Sequence, residues 1–108
     1  MYKLQIDITV DGEKKTFVTS EVTMKARRKF MEIRAKEEEI LEKQATIPTK
    51  KQIEFENEMI NILVDVVFGN QFTADELIDG VSDDYFDEKL AEAIFGKIEN
   101  EEGNNQGK

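Results

Sequence analysis

The stretch from Met59 to Phe68, Met-Ile-Asn-Ile-Leu-Val-Asp-Val-Val-Phe, constrains the fold more than any other, because only Asn61 and Asp65 in it are polar. Those two lie four residues apart, so on a helix they share one narrow strip while apolar side chains cover the rest of the circumference. A helix of that kind has to be surrounded, which places it at the centre of a small domain. The residues ahead of it supply a start: Thr49 with Gln52 fits a capping box, and Pro48 drives Ile47 towards extended backbone. Gly69 stands where a left-handed residue is wanted after a helix. The spacing therefore predicts a core helix over residues 49–68. A strand is the competing reading, since Ile60, Ile62, Val64, Val66 and Phe68 also alternate, but length and the two end signals favour helix.

Other elements have to cover that helix. Tyr2 to Val10 alternates, with Tyr2, Leu4, Ile6, Ile8 and Val10 on one face, which predicts a half-buried strand. Asp11-Gly12 tolerates the positive φ of a tight turn, and Lys14 to Thr19 returns around Phe17 as the second strand of a hairpin. Two strands alone are marginal in water, so the hairpin must lie on helices or extend a sheet into another copy through an open edge. Ser20 to Gln44 reads as a long helix with Ser20 or Thr23 as N-cap. Val22, Ala26, Phe30 and Ile33 form its apolar stripe, resumed at Ile40 and Leu41. Arg34 to Glu39 offers only Ala35, so the middle of this helix projects into solvent or towards a partner.

After the core helix, Thr73 and Glu76 form a capping box, with Phe72 and Leu77 as a hydrophobic staple, and Gly80 ends a helix of two turns. The device repeats with Val81 and Phe86 across Ser82. The last helix runs to about Phe95, burying Phe86, Leu90, Ala93 and Ile94, and Gly96 closes it. The expected fold is α+β, mainly α: an N-terminal β-hairpin packed on a small bundle of about four helices, in one domain over residues 1–98. A flexible acidic tail without apolar residues follows over 99–108.

Composition narrows the function. The absence of cysteine and histidine excludes disulfides, thiol chemistry, an imidazole base and the usual zinc ligands. Ser20 and Ser82 are the only serines, and no glycine-rich phosphate loop is present. Asp75 to Glu88 lacks the alternating oxygen register of a Ca²⁺ loop, because Leu77 and Ile78 interrupt it. Most paired carboxylates stand in helix first turns or on exposed faces, and Asp65 is the one acid expected to be partly buried. No membrane span and no signal peptide are read, no cofactor is implied, and a non-enzymatic, cytoplasmic binding or assembly role is expected. Charge is asymmetric: residues 1–52 carry net +3 and residues 53–108 net −12 within a total of −9. Such polarity disfavours nucleic acid as a partner of the whole molecule and leaves a basic patch free to meet an acidic face. Lys25, Arg27, Arg28 and Lys29 crowd the start of the first long helix, where the helix dipole disfavours them, and Arg34 and Lys36 follow. Those six are the candidate partner-binding residues, for an acidic partner or the acidic half of another copy. A solvated face is the plainer reading.

Residues 69–96, Gly-Asn-Gln-Phe-Thr-Ala-Asp-Glu-Leu-Ile-Asp-Gly-Val-Ser-Asp-Asp-Tyr-Phe continuing to Leu-Ala-Glu-Ala-Ile-Phe-Gly, resemble the C-terminal part of tail assembly chaperones from long-tailed phages of Gram-positive hosts. In that family a short helix precedes a last helix ending near a glycine, behind an N-terminal hairpin. The resemblance implies a non-enzymatic protein of the host cytoplasm that coats the tape-measure protein, recruits tail-tube subunits, and is absent from the finished virion. It carries over no functional residue. Proteins of that kind often come in two lengths, the longer made by a backward ribosomal slip, and Gln106-Gly107-Lys108 can encode the heptamer G-GGA-AAA; a merely soluble terminus is the plainer reading. Two other classes stay open on residues alone: an acidic nucleic-acid mimic or regulator of a host protein, and a virion structural connector.

Overall fold

The computed structural model describes residues 4–19 and 22–96, so Tyr2, the N-cap candidate Ser20 and the acidic tail lie outside the described residues. Strands β1 (Leu4–Val10) and β2 (Glu13–Thr19) pair antiparallel, with Ile6 opposite Phe17 and Asp7 opposite Thr16. Asp11 (φ 53°) and Gly12 (φ 79°) both take the positive φ that the two-residue turn requires. Leu4, Ile6 and Ile8 are buried on one face, as the alternation predicts. The helices are α1 (Met24–Leu41), α2 (Thr49–Asn61), α3 (Ala74–Gly80) and α4 (Asp83–Phe95), and α2 continues without a break into a π-helical segment, Ile62–Val67. The α+β, mainly helical architecture is the one expected.

The core helix therefore exists, but its last turns are wider than α. Phe68 N–H donates to Leu63 C=O at 2.9 Å and Asn70 N–H to Val64 C=O at 2.7 Å, bonds that span five and six residues. Gly69 (φ 59°) and Asn70 (φ 63°) then turn the chain away in the left-handed region. Ile60, Ile62, Leu63, Val64, Val67 and Phe68 are buried, while Asn61 and Asp65 form the exposed strip. Asp65 corrects an expectation: it is exposed rather than partly buried, because that strip faces solvent, and its carboxylate accepts from Asn70 Nδ2 at 2.9 Å. The Thr49–Gln52 capping box also does not form. Pro48 takes the cap position with extended backbone, Thr49 is already helical, and the Gln52 amide donates instead to Ile47 C=O at 2.7 Å.

α1 is shorter than the 20–44 expected. Thr23 caps it through Lys25 N–H, and it ends at Leu41, where a run of glutamates with no base in the last turn opposes the helix dipole. Ala26 and Ile33 are buried and Val22, Phe30 and Ile40 partly so, but Leu41, expected on the stripe, is 49% exposed. Next to Ile40 it points about 100° away from the core. α1 and α4 both pack on the π segment, and Phe30 meets Phe95 edge-on at 5.9 Å. Both later caps form as read: Thr73 and Glu76 complete the box, and Ser82 accepts from Tyr85 N–H.

The hairpin lies on α3 and α4. Rings of Phe17, Phe72 and Phe68 meet in sequence in tilted pairs with centroids 5.0 and 5.3 Å apart, tying β2 to the end of the core helix. Asp7 N–H, on the outer edge of β1, donates to the Tyr85 hydroxyl at 2.9 Å, and Val18 C=O, on the outer edge of β2, accepts from the Gln71 amide at 3.0 Å. Each edge of the small sheet is thus partly engaged by the chain's own helical half.

Candidate functional site

Three helices meet around a groove of about 560 Å³. α1 contributes Phe30 and Glu37, α2 contributes Phe55, Glu56 and Met59, and α4 contributes Asp83, Phe86, Asp87 and Leu90. Phe55 and Leu90 are buried at its floor, while Phe30, Met59 and Phe86 are only half-covered. The rim is formed by carboxylates: Glu56, Asp83 and Asp87 are exposed, and Glu37 is partly covered by Arg34 at 3.5 Å. A smaller depression of about 140 Å³ shares Glu56, Asp83 and Phe86 and extends the apolar surface to Ile78 and Val81. Aromatic rings and a flexible thioether, bordered by negative charge, are suited to an apolar ridge with basic neighbours.

This groove was missed in the sequence. Phe86 and Leu90 read as core positions, and most paired carboxylates as capping or solvated acids. The floor is assembled from residues far apart in the chain, so no local pattern announces it. The one available signal was a surplus of large apolar residues on helices whose other faces are charged.

The six basic candidates do not form one patch. Lys25, Lys29 and Lys36 run along one side of α1. Lys29 and Lys36 border a second cleft, of about 310 Å³, which they share with Glu32, Glu58 and Asp65. There Lys36 pairs with Glu58 at 3.4 Å. Arg34 lies on the opposite side, paired with Glu37 and with its guanidinium 5.9 Å above the Phe30 ring. Arg27 and Arg28 flank the outward face. Among the described residues, Lys25, Arg27, Arg28 and Lys29 have no salt-bridge partner. α1 has no acid in its first turn and no base in its last, so both ends oppose the dipole, at about 0.3–1 kcal/mol per charge. Folding does not require that arrangement.

Among the described residues no group of three or more His, Cys, Asp or Glu side chains is placed to hold a metal ion. No helix among them is long and apolar enough to cross a membrane. What the geometry offers is an apolar groove with an acidic rim and, on α1, Arg27 and Arg28 without a salt bridge among the described residues. The fold and these surfaces define a small binding module. A family described as phage tail chaperone protein matches the chain over residues 1–108, and the chain belongs to that family. No curated protein and no solved structure matches it.

Proposed function

We propose that the protein is a tail assembly chaperone that holds apolar helical segments of the tape-measure protein and recruits tail-tube subunits before the tube polymerises. It acts in the host cytoplasm, on a long-tailed phage of a Gram-positive host, and leaves before the virion is complete. No catalytic step belongs to this role. Membership of the tail chaperone family supports the assembly role. The observation that carries the mode of binding is the α1–α2–α4 groove, with Phe30, Met59 and Phe86 half-exposed between carboxylates. A helix laid in a groove is held by an apolar ridge with about one anchor per turn, and charge on the rim sets its register and partner choice. An adaptable floor suits a client that offers many similar segments rather than one fixed epitope. The unpaired cations of α1 are left for a second, acidic contact.

The test is co-expression with the phage's tape-measure protein and with its tail-tube protein, followed by co-purification. The native chain is expected to keep tape-measure fragments in solution. Exchanging Glu56→Lys together with Asp87→Lys, both exposed, is expected to weaken the complex about tenfold or more. Equal binding by that variant would remove the groove from the reading. Failure of the native chain to bind either tail protein, or its retention in purified virions, would remove the chaperone role.

A further inference from the structure

The outward face of α1 carries a second apolar strip that the fold leaves uncovered. Met24 and Met31 are 74% and 59% exposed, and Ala35 is exposed beside them. Spaced at i, i+7 and i+11, they lie opposite the buried Ala26 and Ile33. The charges beside the strip change sign along the helix, from Arg27 and Arg28 to Glu38 and Glu39. All four are exposed, and none forms a salt bridge among the described residues.

We propose that this strip pairs antiparallel with the same strip of a second copy of the chain. The charge pattern inverts about Ile33, so a two-fold axis level with that residue brings each arginine pair against a glutamate pair. An antiparallel two-fold places like flanks together. Arg27 then faces Glu38 of the second copy on one flank, Arg28 faces its Glu39 on the other, and symmetry repeats both contacts. Met31 meets Ala35 of the second copy between them, where the small side chain admits the thioether. Parallel pairing sets arginine against arginine and is disfavoured. Residues 99–108 contain no apolar side chain and are no substitute for a partner on the methionines. One helix of 18 residues per copy, about 27 Å long, gives an interface at the small end of the specific range. The association is therefore weak and salt-sensitive, as suits an assembly that must later come apart. Phe30 and Glu37 of the groove lie on the other side of α1, so the pairing stands or falls independently of client binding.

Sedimentation velocity across a concentration series tests it. The native chain is expected to dimerise, and raising NaCl from about 0.05 to about 1 M to shift it towards monomer. Arg27→Glu with Arg28→Glu, and separately Glu38→Arg with Glu39→Arg, are each expected to weaken self-association about tenfold or more. Both changes bring α1 into line with its dipole, so the variants should fold at least as well as the native chain, which circular dichroism checks. An equimolar mixture of the two is expected to dimerise again, because all four cross-helix pairs are then opposite in charge. A native chain that stays monomeric, a variant that dimerises as the native chain does, or a mixture that stays monomeric overturns the proposal. Loss of client from both variants with no change in self-association overturns it too, and assigns the strip to the client.

Discussion

Single atoms decide two contacts that hold the hairpin on the helical half. Asp7 N–H points away from β2 and finds the Tyr85 hydroxyl at 2.9 Å. Lys89 Nζ sits 5.5 Å above the same ring, a contact that phenylalanine would keep. Tyr85→Phe therefore isolates the hydroxyl, and leaving a part-buried N–H without its acceptor is expected to cost about 1 kcal/mol. Urea melts and faster exchange of the Asp7 amide proton would show it; unchanged exchange would mean that water replaces the hydroxyl. Gly80 is the second case. A Cβ there would lie 2.5 Å from Ile8 Cγ2 and 2.5 Å from Thr9 C=O, so the residue at which α3 ends, as read, is also required for close approach of α3 to β1. Gly80→Ala is expected to destabilise by about 1–3 kcal/mol, since the atoms it meets are buried side chain and backbone. A melting midpoint equal to the native one would show that the strand can move aside.

At the scale of the element, the π-helical end of the core helix carries a run of consecutive apolar residues. Ile62, Leu63 and Val64 are all buried, as are Val67 and Phe68 after the turn. Adding a residue to the turn is uncommon and costs hydrogen-bond geometry, so it persists where surrounding packing holds it. Here α1 and α4 supply that packing. Leu63 is fully buried within the segment, and Leu63→Ala is expected to cost about 2–5 kcal/mol in a urea melt through the cavity it leaves. A loss under about 0.5 kcal/mol would show that the segment is not the centre of the core.

At the scale of the whole molecule, the opposite charges of the two halves do not merely neutralise each other. Lys36–Glu58 joins α1 to α2 and Arg34 pairs with Glu37 at the groove rim, but Arg27 and Arg28 stand on a different surface from the groove. The function proposed above uses both surfaces, the groove for an apolar client and the α1 face for an acidic contact. The Glu56→Lys, Asp87→Lys variant separates binding from folding: its urea stability is expected to remain within about 0.5 kcal/mol of the native value, since both side chains are exposed. A larger loss would mean that the rim acids serve the fold itself.

Periodicity and end chemistry made most of the elements legible in advance. The alternation of Leu4, Ile6 and Ile8, the Asp11-Gly12 turn, and the caps at Thr73 and Ser82 each act over a few residues, so the sequence determines them locally. The family, too, was legible, in the residues from Gly69 to Gly96, and the whole-chain match bears it out. Tertiary structure decided the rest. Helix pitch at residues 62–67 and the need for Gly80 depend on which atoms approach from other elements. Whether a charge is paired depends on which helix faces it: that separated Lys36 and Arg34 from Arg27 and Arg28. The groove exists only once α1, α2 and α4 converge. A surface made of several elements has no period of its own, so a linear pattern cannot carry it.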